Sequence, residues 1–588
     1  MNIAEYLINK IKDLGVDDIF CTAGEYNCDV LEIAEKDEAI NLICCTNALN
    51  AGFAADGYAR IKKYGVLITN YGAEELSALS ALAGSCAENV PVIHIVITPS
   101  AAVLKNKELI PYGNAHGHID TVKLYAKSAS FLTRDNAKIE IDKAIKTLIK
   151  HKAPVYIAIP EDVAKLTIVD KTPNYEWQSD PETLNKAVER IVHKIMISER
   201  PIIIADSLIE RFDSKIEFIE FVEKTGIPVT NFIEGLNSVP RDSETYLGTY
   251  FSEIANPAAN GYINTTDCAI SVGLMYGEKN TCGMKLPFEN NFQIAIYGTY
   301  SYIDGEKFDN IKMSEVLSKV TKLLDFHKYE TKPADIGYEK PSAPEGKLSA
   351  KYLYPRMQEF LQDTDIIFVE SGSITLPSVY MRLPNKAKIY TQAVWNANGW
   401  ATPAAFGACI ACKDKKVVLI TGDGSHLVSL TEISSMLRYN VKPTIIVLNN
   451  SGHTLNKLIS SKLNEFNNIL NIDYAKLVRS FEGEIWATKV ETADDFDKAL
   501  RVTKIMNKLC YIEAILSEND VSSITQKFAD NIRKNKTTLI ENINKSNKTQ
   551  NTKTENDTKL TLTNTHDLNF ETHTHKSLVE IESNGENQ

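Results

Sequence analysis

The sequence predicts an α/β protein: three doubly wound parallel-sheet domains in series, followed by a disordered C-terminal tail. Short apolar, partly β-branched runs alternate with segments of helical periodicity through residues 1–170, again through 180–324 and again through 351–528. Strands interleaved with helices argue parallel sheets covered on both faces. A length of 588 residues suits three large domains plus extras, or about four at roughly 150 residues each. Beyond Asn531 the composition changes to Asn, Thr, Lys and Glu with few large apolar residues, which cannot bury enough surface to offset the entropy of ordering.

Taken in order, Ile3–Leu14 has helical spacing and Asp18–Cys21 reads as a strand running into Ala23-Gly24-Glu25-Tyr26-Asn27. A second strand ends near Cys45, and the Ala-rich Asn47–Arg60 segment reads as a helix able to pack close to a neighbouring backbone. Val66–Thr69 and Val92–Thr98 are expected as buried strands with a helix at Gly72–Ala87 between them, and Val155–Pro160 closes a first domain set at 1–175. A central domain, 180–330, has strands at Pro201–Asp206, Pro228–Asn231, Cys268–Val272 and Phe292–Tyr297. The Pro-, Glu- and Lys-rich stretch from Thr331 to Lys347 marks a linker, 331–350, before a third domain, 351–530, and the tail, 531–588.

Composition narrows the function classes. Hydrophobic content of 44% and charged content of 24% are ordinary for a globular protein. The formal charge of −12 provides no basic stripe for a phosphate backbone, so nucleic acid is not an expected partner. Ten cysteines are dispersed without a zinc spacing; the Cys409/Cys412 pair lies in an apolar Ala/Gly-rich segment and reads as buried thiols. His573 and His575 form an HxH in the polar tail, a setting that argues against metal binding. No apolar run approaches a membrane span and the opening residues carry no basic-then-apolar signal, so a reduced, soluble, cytoplasmic protein without a membrane partner is expected.

The chemistry concentrates between Val417 and Gly452. Val-Val-Leu-Ile-Thr-Gly-Asp-Gly-Ser (417–425) and Pro-Thr-Ile-Ile-Val-Leu-Asn-Asn-Ser-Gly (443–452) flank a segment with Leu430, Ile433, Met436 and Leu437 at helical spacing. This strand–helix–strand unit puts both polar clusters at strand ends, where parallel sheets place ligands. Asp423, the Asn450 side chain and the Gly452 carbonyl offer three hard oxygens, a set that with waters and a diphosphate suits Mg²⁺. Gly422 and Gly424 let backbone amides approach phosphate, Ser425 follows them, and the next helix N-terminus favours the anionic charge.

These residues carry a resemblance. Gly422-Asp423-Gly424-Ser425 with Asn449-Asn450 resembles the cofactor signature of thiamine-diphosphate enzymes, and the pyruvate and indolepyruvate (2-oxo-acid) decarboxylases are the members most like it. The likeness covers about the first 530 residues. Asn47–Arg60, Tyr71-Gly72 with Glu75–Ala78, and Glu88–His94 are similar to motifs of the pyrimidine-binding domain; Ile227-Pro228 and Ser271–Gly273 match the central domain more weakly; Glu370–Gly372 and Trp400–Gly407 resemble the diphosphate domain. The resemblance implies thiamine diphosphate and Mg²⁺ as cofactors, a 2-oxo acid as substrate class, and a homodimer or tetramer, or a mixed oligomer with an active paralogue, because family active sites form between subunits.

Where the family has its acid–base residues, this chain departs. The Glu that drives the coenzyme pyrimidine to its imino form is Ala48, in Asn47-Ala48-Leu49-Asn50-Ala51. The Asp of a Gly-Asp-Phe-Asn motif is Glu25; an expected His pair lines up with Pro111 and Tyr112, with His116 and His118 a few residues on; the Glu expected near the substrate carboxylate is Asn456; and the apolar residue that props the coenzyme rings into a bent shape is Asn398. Losing one general acid or base costs about 10²–10⁴ in rate, and relatives such as glyoxylate carboligases work without the pyrimidine partner. The joint loss beside an intact anchor leads to the expectation of a cofactor-binding, catalytically impaired or inactive member with a regulatory, sensing or partner-subunit role. The alternative is a functional decarboxylase or carboligase that re-routes its proton transfers through Glu25, His116, His118 or Glu74.

Overall fold

The computed structural model describes residues 1–106, 115–168, 176–277 apart from 253 and 255, 280, 292–325, 328–460 apart from 333 and 337, and 465–538. Met1–Arg533 is one unit built on three sheets. Of the second unit, Lys534–Gln588, residues 534–538 are described and are helical.

The first sheet comprises β1 (Asp18–Cys21), β2 (Asn41–Cys44), β3 (Gly65–Asn70), β4 (Val92–Thr98), β5 (Ser128–Phe131) and β6 (Val155–Pro160), all parallel in the order β2-β1-β3-β4-β6-β5. Every residue of β4 and β6 is buried. That is why these strands read as continuous Val/Ile runs rather than alternating ones: helices cover both faces.

The central sheet holds β7 (Pro201–Ala205), β8 (Val229–Asn231), β9 (Tyr246–Thr249), β10 (Cys268–Val272), β11 (Phe292–Ile296), β12 (Tyr300–Ile303) and β13 (Glu306–Asp309), in the order β13-β12-β11-β10-β7-β8-β9. It adds to the expected parallel strands an antiparallel hairpin, β12–β13, on one edge. Asp304 (φ 50°) and Gly305 (φ 83°) form its tight turn, both with the positive φ that matches a hairpin's twist.

The third sheet contains β14 (Ile366–Val369), β15 (Lys388–Tyr390), β16 (Val417–Gly422), β17 (Thr444–Asn449), β18 (Ile485–Val490) and β19 (Leu509–Ile515), all parallel in the order β15-β14-β16-β17-β19-β18. Its topology repeats that of the first sheet strand for strand. In both, the chain reverses its direction of winding between the first and third strands, and the crevice beyond the carboxyl ends at such a point is where open α/β sheets bind ligands.

Two buried helices, Ala48–Lys62 and Ala401–Ala411, join the first and third sheets. Small residues let their backbones touch: a Cβ on Gly57 would lie 2.1 Å from the Ala404 carbonyl oxygen, and one on Gly407 would lie 1.9 Å from that of Ala54. The segment between β16 and β17 forms two short helices, Asp423–Ser429 and Glu432–Arg438, rather than one, with Leu430, Ile433 and Met436 buried as their spacing implies. Helix also continues past Phe528, and Ile532 is buried where the tail was expected to have begun.

Candidate functional site

The carboxyl edge of the third sheet holds a polar cavity of about 230 Å³. The loop after β14 (Ser371 to Ile374), the first turn of the helix after β16 (Asp423 to Ser425) and the segment after β17 (Asn450 to Asn456), which runs into a helix at Thr454–Ser460, wall it, with Asn396 and Asn398 closing one side. β14 and β16 are the first and third strands of this sheet, so the cavity sits at the reversal point.

Asp423 is 3% exposed and braces the two glycine turns: Oδ1 accepts the Gly424 N–H at 2.9 Å and Oδ2 accepts the Gly452 N–H at 3.2 Å. Burial pushes its carboxyl upward, opposed by backbone N–H groups of Gly424, Gly452 and Ser451. The two adjacent asparagines divide their work. Asn449 is structural, its Nδ2 donating to Glu513 at 2.7 Å and to the Ile472 carbonyl at 3.3 Å. Asn450 lines the cavity, and among the described residues its side chain has no hydrogen-bond partner. Ser425 Oγ donates to Asn398 Oδ1 at 3.4 Å, so both sit on one wall.

The residues fit an Mg²⁺–diphosphate group. A carboxylate, a side-chain amide and a backbone carbonyl are the hard oxygen donors such an ion takes. A Cβ built on Gly422 or Gly372 meets nothing within 4 Å, so the space before both backbones is open to a ligand. Gly452, in contrast, has no room for a side chain: its Cβ would meet the Asn467 carbonyl oxygen at 2.5 Å.

The first sheet positions the other expected residues. Ala48, 3% exposed, opens its helix behind the Asn47 cap, whose Oδ1 accepts the Asn50 N–H at 2.8 Å. The preceding Thr46 donates its hydroxyl to Glu432 at 2.8 Å and its N–H at 3.4 Å, latching this loop to the third domain. Glu25 is exposed. Glu74 is no free acid: its Oε2 accepts the Thr22 hydroxyl at 2.8 Å and the Asn70 N–H at 3.0 Å, tying together the loops after β1 and β3. His118 Nδ1 lies 2.9 Å from Glu75 Oε2 and its ring stacks on Tyr71 with centroids 4.9 Å apart. Glu75 is itself buried and bonded to the Tyr156 hydroxyl. The backbone at His116 is helical, but its side chain, like Pro111 and Tyr112, lies outside the described residues, as do His573 and His575. Cys409 and Cys412 are buried, at 7% and 8% exposure.

Asp423, Asn450, Gly452, Gly422, Gly424, Ser425, Asn398 and Asn456 are thus brought together, whereas Ala48, Glu25, Glu74 and His118 do not line the cavity. The sequence reading missed His453, Tyr354 and Asp520 on the cavity wall. His453 stands in the same loop as Asn450 and was accessible to a spacing argument; Tyr354 and Asp520 arrive from distant elements and carry no local signal. Also unforeseen is a buried charge cluster behind the wall. Arg60 contacts Asp56 at 2.8 Å, Glu88 at 2.9 Å and Glu234 at 3.9 Å, donates to the Thr391 carbonyl at 3.1 Å and lies over the Trp400 ring at 4.7 Å.

Comparison with known proteins agrees with this geometry. Family models described as the thiamine pyrophosphate enzyme N-terminal TPP binding domain, central domain and C-terminal TPP binding domain match residues 1–124, 188–311 and 371–514. The chain is 28% identical to a pyruvate decarboxylase of Kluyveromyces lactis over 544 residues, 89% of this chain and 97% of the relative. It is 27% identical to pyruvate decarboxylase isozyme 1 of Saccharomyces cerevisiae over 517 residues, 85% of this chain and 92% of that one. A Schizosaccharomyces pombe protein that carries the pyruvate decarboxylase name provisionally is 30% identical over 490 residues, 79% of this chain and 86% of its own length.

Proposed function

The chain belongs to the thiamine-diphosphate-dependent pyruvate decarboxylase family, as a divergent member, and from that premise we propose that it holds thiamine diphosphate with Mg²⁺ while turning over 2-oxo acids poorly or not at all. In this reading Asp423, Asn450 and the Gly452 carbonyl take the metal, and the amides around Gly422, Gly424 and Ser425 take the diphosphate. Bound there, the coenzyme supplies an electron sink for decarboxylation. The observation that carries the binding half is Asn450, which faces the cavity opposite Asp423 with no structural partner among the described residues. Half-buried on the cavity wall, its amide is free to give its oxygen to a ligand.

Impairment is inferred from what the chain offers around that anchor. The Ala48 methyl can neither take nor give a proton at the coenzyme pyrimidine. At the cavity mouth Asn456 accepts and donates hydrogen bonds but cannot ionise, and Asn398 replaces apolar bulk with an amide. A role through binding follows: a regulator or cofactor sensor, or a subunit that lends its diphosphate domain to an active paralogue. Because the Ala48 loop and the cavity are separate within one chain, either assembly requires a second subunit to complete a site. A cytoplasmic location accompanies this reading, supported by family membership; among the described residues no helix is long and apolar enough to cross a membrane.

The second reading, a working decarboxylase or carboligase, draws on one observation: His118 is held by a buried carboxylate, an arrangement that orients an imidazole for proton transfer. Titration calorimetry with thiamine diphosphate and Mg²⁺ on the full chain and on Asp423→Ala, joined to pyruvate and phenylpyruvate decarboxylation assays, separates the two. Binding that disappears in the variant, without turnover in the parent, is expected. Appreciable turnover by the parent that falls in His118→Ala establishes the second reading, and calorimetry with no binding heat sinks both.

A further inference from the structure

The carboxyl edge of the first sheet carries a thiol pair that the proposed function does not use. Cys21 ends β1 and Cys44 ends β2, and the two are direct register partners on adjacent parallel strands. Their side chains therefore leave the same face, and the Sγ atoms lie 3.5 Å apart. Parallel neighbours are spaced about 4.8 Å, within the roughly 4.4–6.8 Å between Cα atoms that a disulfide spans. Cys21 is buried and Cys44 partly exposed, so a small reagent reaches one partner and not the other.

Their surroundings divide the roles. The hydrogen bond from Cys21 draws the Cys44 thiol down to about 6, with Arg438 and the Tyr439 hydroxyl assisting against burial. Cys21 is pushed upward, by that same hydrogen bond first and by burial second, and keeps its proton. An exposed-side thiolate beside a protonated partner is the arrangement of a peroxide-reactive cysteine and its resolving thiol.

We propose that Cys21 and Cys44 form an oxidation site for hydrogen peroxide, with Cys44 attacked first and Cys21 resolving it to a disulfide. The Cys44 thiolate bonds to one peroxide oxygen, the O–O bond breaks and hydroxide leaves, giving a sulfenic acid. The Cys21 sulfur then bonds to the Cys44 sulfur, the S–O bond breaks, and the hydroxyl departs with the Cys21 proton as water. Two thiols are oxidised to one disulfide and one peroxide is reduced to two waters. β1 and β2 run directly into the loops that hold Glu25 and Ala48, so the cross-link ties those loops together.

The test treats the reduced full-length protein with stoichiometric hydrogen peroxide, blocks remaining thiols by alkylation and maps the peptides. A Cys21–Cys44 linked peptide is expected, absent in Cys44→Ser, whereas Cys21→Ser stops at a Cys44 sulfenic acid trapped by dimedone. In untreated protein at pH 7, iodoacetamide should modify Cys44 ahead of the more exposed Cys28, since a thiol drawn down to about 6 is mostly thiolate at that pH. First oxidation at Cys28 or Cys45, a disulfide persisting in Cys21→Ser, or alkylation of Cys28 before Cys44 overturns the proposal. The peptide map of the unsubstituted chain decides the matter even where a variant does not fold.

Discussion

Replacing Arg60 with Met tests how the two helices that join the first and third sheets are held. Arg60 and its closest partners are out of water: its side chain is 0% exposed, and Asp56 and Glu88 are 1% exposed. Each contact near 2.9 Å represents about 4–6 kcal/mol of gross attraction at an effective dielectric of about 20. Desolvation offsets most of it, and breaking a buried ion pair from one side costs about 3–5 kcal/mol net. Neighbouring donors soften the loss here. Asp56 keeps Ser85 at 2.8 Å and the Trp400 Nε1–H at 3.0 Å, and Glu88 keeps the N–H groups of Val394 and Trp395 at 3.0 and 3.1 Å. The expected penalty is therefore at the lower end, about 3 kcal/mol, read as a lowered urea midpoint by fluorescence, with Trp400 itself as a reporter. The deficit should shrink as pH falls. Burial already pushes the Glu234 carboxyl upward, Glu88 adds to this, and Arg60 opposes both; without the cation the folded variant binds more protons than its unfolded chain and loses stability as pH rises. A penalty under about 1 kcal/mol, the range of an exposed ion pair, or one independent of pH, would refute the reasoning.

Three further outcomes follow from individual positions. Gly424→Ala places a Cβ 2.3 Å from Ile469 Cδ1 and 2.8 Å from the His453 ring; both side chains can yield, so stability should change by under about 1.5 kcal/mol. The displaced imidazole should nonetheless weaken thiamine diphosphate binding about tenfold or more by calorimetry, a loss of roughly 1.4 kcal/mol. Gly407→Ala drives a Cβ into the Ala54 backbone oxygen at 1.9 Å, which only separation of the helices relieves, so a lowered thermal midpoint from at least about 1–3 kcal/mol of overpacking is expected. Burial pushes the Asp206 carboxyl from 3.8 up to about 8 against N–H groups of Met275 and Ser207; between those values the folded chain holds a proton that the unfolded chain lacks, so this group's contribution to stability falls as pH rises from about 4 to about 8, and Asp206→Asn should remove that slope from urea midpoints.

What the sequence reveals depends on burial. β1, β4, β6 and β10 begin and end at the residues their apolar runs indicate, because strands covered on both faces leave an uninterrupted hydrophobic record. β5 (Ser-Ala-Ser-Phe), β13 (Glu-Lys-Phe-Asp) and β15 (Lys-Ile-Tyr) went unread, and all three are edge strands, short in the manner that keeps edges from pairing with other chains; the interior strands β12, β14 and β19 went unread as well. The same logic divides the site. Asp423, Asn450 and Gly452 are legible because two adjacent strand ends bring them together within one local unit. Tyr354 and Asp520 reach the cavity only through tertiary packing. The Arg60 cluster escaped for a third reason: Asp56 and Arg60, four residues apart on one helix, read as an exposed ion pair until Glu88 and Glu234 are seen to arrive from other elements and bury it.

Under the proposed function the anchor and the reaction chemistry sit under different physical constraints, which accounts for a chain that keeps the one without the other. Asp423 does structural work before any ligand arrives: its two oxygens accept the Gly424 and Gly452 N–H groups, so its replacement disturbs the sheet edge as well as the proposed metal site. Asn449 is likewise committed to Glu513. Position 48 has no such tie. The Asn47 cap and the Thr46–Glu432 latch set the start of the helix without any atom of the residue 48 side chain, and a methyl there fills a buried helical position at no cost to the fold. Asn456 stands exposed at the cavity mouth and is equally free to vary. Asn450 is the exception that bears on function. It has no side-chain hydrogen bond among the described residues, yet it lines the cavity, so the proposed function assigns it to a ligand rather than to the fold. Replacing Asn450 with Leu should accordingly leave the urea midpoint nearly unchanged while abolishing the calorimetric signal for thiamine diphosphate with Mg²⁺; a loss of stability with binding intact would assign Asn450 to the fold and remove the strongest support for cofactor retention.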